Sequence, residues 1–307
     1  MHGWQCQGDP ARVVAPWGDR FTAKHAAILR MVSGFMIKIR LAVRMILGGA
    51  CLLGGVSQAE FVTLTADRDT TIYENLFAET NPLSNGAGGH FLAGQTGENN
   101  DFEARRGLLA FDIAGAIPVN AVIESAILQL AVSRAPPPAF MDGREDPFAL
   151  HRALTTWGEG ASASSPPEGV GAGALPGDAT WVHSQWDGAS TTSLRWGTPG
   201  GDFFAVPSVT RLIGDIGLYL FIGPGLTADV QRWVNDSSSN HGWFLLGNEA
   251  GDKSMRRFNT KDQDDEDSWP TLFVTYTVVP EPHTFLLFLL GAVSLARRSI
   301  SFLADDS

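Results

Sequence analysis

An all-β fold, an antiparallel β-sandwich of jelly-roll-like form in a single domain, is predicted by three features of the 307-residue chain. Short segments alternate apolar and polar residues with the two-residue period of a half-buried strand. Gly, Pro, Asn and Asp separate those segments, and helical periodicity is nearly absent. The 34 glycines and 17 prolines fit a loop-rich β protein and fall short of a low-complexity one. The organisation expected is a leader and signal peptide over 1–59, the sandwich over 60–278 and a sorting or anchor segment over 279–307. A central segment of that length supports one core, burying roughly 70% of its surface on folding.

The leader comes first. Lys38, Arg40 and Arg44 form a basic n-region, an apolar run extends from Met45 to Val56, and Ser57-Gln58-Ala59 places small residues before a cleavage site after Ala59. The apolar run is too short to span a bilayer, which needs roughly 20 apolar residues. Residues 1–35 have no place in such a signal, which moves the expected start to Met31 or Met36. Cys6 and Cys51 both precede the cleavage, so the mature chain is expected to carry no disulfide and no thiol nucleophile. A lipoprotein reading of Cys51 lacks the usual bulky residue, Gly48 standing in its place.

Strands follow at 61–65, 90–93 and 108–113, where Leu109, Phe111 and Ile113 share a face. After Pro118 a long strand places Val122, Ala126, Leu128, Leu130 and Val132 together. Further strands are predicted at 148–153, 217–222, 242–246 and 255–259, and a last one at 271–277 opposes Leu272, Val274 and Tyr276 to Thr271, Thr275 and Thr277. One helical turn is predicted over 226–234 with Thr227 as its N-cap, and 161–176 reads as a Gly/Ser/Pro-rich loop.

The C-terminal segment carries Pro280-Glu281-Pro282, an apolar run from Phe285 to Ala296, and then Arg297-Arg298. This order resembles the PEP-CTERM sorting signal, although the tail from Ser299 to Ser307 extends past the usual end. The resemblance implies processing by an exosortase-type sorting machinery, transient membrane association through a short apolar helix, and a secreted or cell-surface product of a Gram-negative bacterium. A plain membrane anchor is the alternative.

Charge narrows the partners. Of 33 acids and 22 bases, residues 60–280 hold 28 acids and 13 bases, a net of -15. Phosphate binding needs clustered Lys and Arg, and this segment has only Lys253 and Lys261 as lysines, so a nucleic-acid partner is not expected.

Within the central segment, the runs from Arg106 to Ile113, Ile117-Pro118, and Ile123 to Leu130 resemble the opening of the DNRLRE domain, a secreted β-sandwich module. So do Thr156-Trp157-Gly158-Glu159-Gly160, Asp178 to Trp181, Trp196 to Asp202, Val230 to Trp233 and the closing run from Pro270 to Tyr276. Where many members carry a Ser-Arg-Glu-like stretch, this chain has Asn259-Thr260-Lys261-Asp262. The resemblance implies a noncatalytic module, some relatives of which bind acidic polysaccharides such as alginate.

Two sets of residues are candidates for binding. Of nine tryptophans, Trp4 and Trp17 lie in the leader, and Trp181, Trp186 and Trp196 sit in a Gly-rich region where their flat faces could stack on sugar rings. The alternative is that they plug the ends of the sandwich. Asp262, Asp264, Asp265, Glu266 and Asp267 crowd six positions, and oxygen ligands at alternate positions suit Ca²⁺, although the loop lacks the Gly and bidentate Glu of an EF-hand. A solvated loop is the alternative there, and also for Asp67 and Asp69. His90, His151, His183 and His241 are dispersed and no nucleophile motif occurs. The expectation is therefore a noncatalytic, surface-sorted module, carbohydrate-binding or structural in the extracellular polysaccharide matrix, with a polysaccharide lyase or glycosidase as the rival. The net charge of -15 favours a neutral or cation-bridged glycan, whereas the family resemblance points to acidic polymers.

Overall fold

The fourteen-residue strand β6, Ala121–Arg134, organises the fold because it is paired along both edges. The computed structural model describes residues 58–97, 101, 103–137 and 143–278. Pro280, Glu281 and Pro282, the apolar run 285–296 and the signal region before residue 58 lie outside the described residues. Among the described residues, no helix is long and apolar enough to cross a membrane.

In chain order the early strands are β1 Ala59–Thr65, β2 Arg68–Tyr73, β3 Leu83–Ser84, β4 His90–Gln95, β5 Ala104–Ala110, then β6 and β7 Asp146–Arg152. They continue with β8 Ala172–Gly173, β9 His183–Gln185, β10 Leu194–Arg195, β11 Val209–Ile213 and β12 Gly217–Ile222. Helix α1, Pro224–Asn235, precedes β13 Trp243–Leu246, β14 Arg256–Asn259 and β15 Thr271–Val278. Eleven strands join in one antiparallel sheet whose main path runs β1-β15-β6-β14-β4-β5-β13-β7-β11, with β12 on β6 and β2 on β5. β3 pairs β8 and β9 pairs β10 as small separate ribbons.

The sheet curls over the larger of two buried clusters. Leu128 and Leu130 of β6 and Leu272 of β15 share one buried cluster with Leu109 of β5, Phe148 of β7 and Leu245 of β13. Aromatic rings fill this core: Phe91 and Phe258, partners across the β4–β14 ladder, stack at 5.1 Å, and Phe148 of β7 meets Phe258 edge-on at 5.7 Å. As the sequence pattern requires, Leu272, Val274 and Tyr276 all point inward from β15.

β6 departs from the predicted pattern in one place. Tyr276 pairs with Ile123 but Thr275 with Ser125, so Glu124 is an extra residue in the ladder, a β-bulge. Because side chains alternate with period two, one extra residue reverses the parity, and Ile123 rather than Val122 faces the core. Val122 is exposed. Helix α1 serves the disturbed ladder. The Gln231 amide oxygen accepts from Ile123 N–H at 2.8 Å, and Thr227 Oγ1 accepts from Ala126 N–H at 3.2 Å. Thr227 is thus not the N-cap. The helix starts earlier, with Gly223 extended at the cap and Pro224 in the first turn, where the missing N–H is not needed. Leu226, Val230 and Trp233 bury its inner face, and Asp229 receives Trp243 Nε1–H at 2.9 Å and Arg152 at 3.2 Å.

The opposite face of β5 and β13 is covered as well. Ile72, Leu108, Ala153, Trp157, Trp196 and Phe244 belong to a second buried cluster, against which Trp181 and Phe203 pack. Much of the Gly-rich segment from Ala153 to Phe203 is therefore a lid over an apolar sheet face rather than a free loop.

Candidate functional site

The three tryptophans expected as a sugar platform do not form one. Trp196 is 4% exposed; its indole N–H donates to Thr180 O at 2.8 Å and its ring meets Phe244 at 5.5 Å. A residue so enclosed presents no face to a ligand. Trp181 is half-buried, with the Arg106 guanidinium 4.7 Å from its ring centre. Arg106 is itself fixed by Glu249 at 2.6 and 2.7 Å and by Gly200 O. Gly200 has a φ of +93°, and a Cβ there would run into Arg106, so glycine is needed at this position. Trp186 is half-buried against His183 at 4.9 Å.

The acidic run also disperses. Asp264, Asp265, Glu266 and Asp267 are exposed, the last three at a short 3₁₀ turn, Glu266–Ser268, held by Ser268 Oγ donating to Asp265 O. Asp262 is exposed as well, and of the five it alone lies near acids from other segments. Asp69, Glu159 and Asp262 bring one carboxylate oxygen each to within 4.8 Å of the others. Asp67 is exposed and paired with Arg68, but Asp69 is fully buried, contrary to the solvated pair expected. Asp69 lies on β2, a strand whose residues from Asp69 to Tyr73 are all buried, which carries the carboxyl inward with them.

Asp69 N–H donates to Glu159 Oε1 at 2.9 Å, and Asp69 Oδ2 accepts from Lys261 N–H at 2.9 Å. Asp69 Oδ1 is buried without any hydrogen-bond partner. Burial pushes the Asp69 carboxyl up to about 8, with Glu159 and Asp262 adding to the rise against the pull of Lys261. Burial raises Glu159 too, while hydrogen bonds and charge from Asp69 N–H and Lys261 oppose it. The Lys261 ammonium lies 3.2 Å from Glu159 and 3.1 Å from Asp262. Burial disfavours its charge, but the two carboxylates outweigh that and hold it above its ordinary value.

A second region joins basic groups that sequence reasoning missed. Arg134 ends β6 and Arg257 lies on β14, and the ladder places them directly opposite each other. Both line a half-open pocket of about 340 Å³, together with Lys253, Pro136, Pro167 and Met255 among others. Arg257 Nε donates to Ser133 Oγ at 3.1 Å. Burial lowers the Arg257 guanidinium from its ordinary value, Glu168 opposes that and Arg134 adds to it. Among the described residues, neither Arg134 nor Arg257 has a carboxylate within ion-pair distance, whereas Lys253 reaches Asp252 at 3.5 Å. Like charges directly across a ladder are destabilising, so this juxtaposition is unfavourable by itself.

The pocket wall also explains the loop predicted over 161–176. Glu168, at a φ of +68°, accepts from Asn85 Nδ2 at 3.0 Å and His90 N–H at 2.9 Å, and its Oε1 lies 3.0 Å from His90 Nδ1. Tyr73 O–H donates to the Glu168 carbonyl at 2.9 Å. Tyr73 and Glu168 thus tie the loop to β2 and β4, and Pro167 and Val170 are held against the groove. His90, His151 and His183 each spend a ring nitrogen on such local bonds, to Glu168, Phe204 O and Thr180.

No family model and no curated protein matches the chain.

Proposed function

We propose that the chain is a noncatalytic, secreted and surface-sorted β-sandwich module that binds an acidic polysaccharide in the Arg134–Lys253–Arg257 pocket. The observation that carries this reading is the Arg134–Arg257 couple, which among the described residues has no carboxylate within ion-pair distance and faces across β6 and β14 inside a segment with a net charge of -15. A carboxylate placed between the two guanidiniums would relieve their repulsion and accept charge-assisted hydrogen bonds from both. Pro136, Pro137, Pro167 and Val170 supply flat apolar surface for the C–H faces of a sugar ring. The pocket falls in the volume range of small-molecule sites, roughly 300–1,000 Å³, which suits one or two sugar units of a longer chain. The resemblance to the DNRLRE domain agrees with this reading, as do the signal-like segment before Glu60 and the Pro280-Glu281-Pro282 tail.

The test is calorimetric titration of the protein with a polyuronate and with a neutral glucan. Polyuronate should bind and the neutral polymer should not. Arg257→Ala should weaken binding about tenfold or more, since a hydrogen bond to a charged group contributes about 1.5–3 kcal/mol. Arg134→Ser should weaken binding while leaving the empty protein as stable as before or more so, because it removes the like-charge pair. Equal affinity for both polymers, or unaltered affinity in the double variant, would overturn the proposal.

A further inference from the structure

We propose that Asp69, Glu159 and Asp262 form a Ca²⁺ site that ties three distant segments together, distinct from the acidic run that follows Asp262 and independent of the glycan pocket. The donors come from β2, from the turn after Trp157, and from the segment after β14. All are carboxylate oxygens, the hard ligands preferred by Ca²⁺ over zinc or copper. Two oxygens bound to one Ca²⁺ at about 2.4 Å lie no more than about 4.8 Å apart, and one oxygen of each of the three carboxylates lies within 4.8 Å of the others, within reach of a single ion.

An independent observation also points to a ligand. Asp69 Oδ1 is fully buried and accepts no hydrogen bond, an arrangement that normally costs about 1–3 kcal/mol or more for a charged group. Its neighbour Oδ2 is occupied by Lys261 N–H, which fixes the carboxylate in place. A cation beside Oδ1 would supply the missing partner. The charge also balances: three carboxylates and the Lys261 ammonium leave two negative charges, which one Ca²⁺ neutralises. Lys261 Nζ, at 3.2 Å from Glu159 and 3.1 Å from Asp262, bridges those two carboxylates. It sits on a flexible stem and can swing out, so it acts as a built-in competitor that weakens binding without abolishing it.

The experiment is calorimetric titration of the EDTA-treated full chain with CaCl2, followed by melting in EDTA and in millimolar CaCl2. The wild type should bind one Ca²⁺ and melt higher with it, because an ion that binds only the folded state stabilises by mass action. Glu159→Gln and Asp69→Asn should each lower the affinity tenfold or more. Lys261→Met should raise it. A variant with Asp264, Asp265, Glu266 and Asp267 all changed to their amides should bind as the wild type does. If Asp69→Asn does not fold, the partly exposed Glu159→Gln carries the test alone. Two results would overturn the proposal: no saturable Ca²⁺ binding in both wild type and Lys261→Met, or binding lost in the four-amide variant and kept in Glu159→Gln.

Discussion

Cutting Trp196 and Trp186 back to alanine separates a tryptophan that builds the fold from one that decorates it. Trp196 is enclosed in the second cluster, with its ring 5.5 Å from Phe244 and its N–H on Thr180 O. Truncation removes that packing, leaves a cavity under the lid segment and orphans a carbonyl, at a cost of about 3–5 kcal/mol. For a domain of 150–250 residues each kcal/mol lowers the melting temperature by about 2–4 °C, so Trp196→Ala should melt about 6–20 °C below the wild type. Trp186 loses much less. Its backbone remains bonded to Gly177 and Asp178 whatever the side chain, and the ring gives up mainly its contact with His183, about 0.5–1.5 kcal/mol. Thermal melts of both variants by circular dichroism, with polyuronate binding measured on each folded sample, read the difference. Trp186→Ala should keep its polyuronate affinity, since Trp186 does not line the basic pocket. Equal melting losses in the two variants, or a polyuronate affinity that collapses in Trp186→Ala, would refute the reasoning.

Two further outcomes are expected. With metal chelated, stability should fall as pH rises from about 4 to about 8: folding lifts the Asp69 pKa from 3.8 to about 8, so the folded state keeps a proton that the unfolded chain has released. The loss can reach about 1.4 kcal/mol per pH unit, Asp69→Asn should flatten it, and urea midpoints at pH 5 and 8.5 in wild type and variant will show whether Asp69 is the source. Protein recovered from the surface of an exosortase-bearing host should begin at Glu60 and end near Pro280; β1 pairs with β15 from Ala59, so this cleavage costs the ladder only its outermost residue. Intact mass decides the point, and a mature chain retaining Met45 and Arg298 would count against it.

The strands were legible because period-two alternation is a local property. Leu272, Val274 and Tyr276 report their burial without reference to the rest of the chain. Val122 was misplaced because a bulge at Glu124 leaves no mark on composition; it appears only once β15 is laid beside β6. The same limit explains the sites. Five acids within six positions draw attention, yet charges adjacent in sequence repel and spread into solvent; all five are exposed, and only Asp262 also approaches acids from elsewhere in the chain. The acids that converge lie 90 or more positions apart and include Asp69, which occupies a strand of buried residues. An acid in such a strand is itself a signal, since a carboxyl is buried only at a cost that something must offset. Tryptophan content gave the capacity for burial or stacking, and only the lid over β5 and β13 assigned Trp196 to burial.

The charge distribution also bears on how an acidic domain could take the acidic ligand proposed for it. Repulsion from the net charge of -15 is felt by a polymer approaching from solution, but it is screened beyond about 8 Å at physiological salt. Affinity is set within that distance, by the groups the ligand touches. Arg106, Arg152, Arg195 and Arg256 spend their charge on Glu249, Asp229, Glu79 and Asp146, so they add little outward field. Among the described residues Arg134 and Arg257 have no carboxylate within ion-pair distance, and they face one another where repulsion destabilises the ladder. Replacing Arg134, which is exposed, by a neutral residue would remove that repulsion. Keeping both is explicable if an anion from outside completes the group, and a polymer with one carboxylate per sugar supplies such an anion at every step along its length.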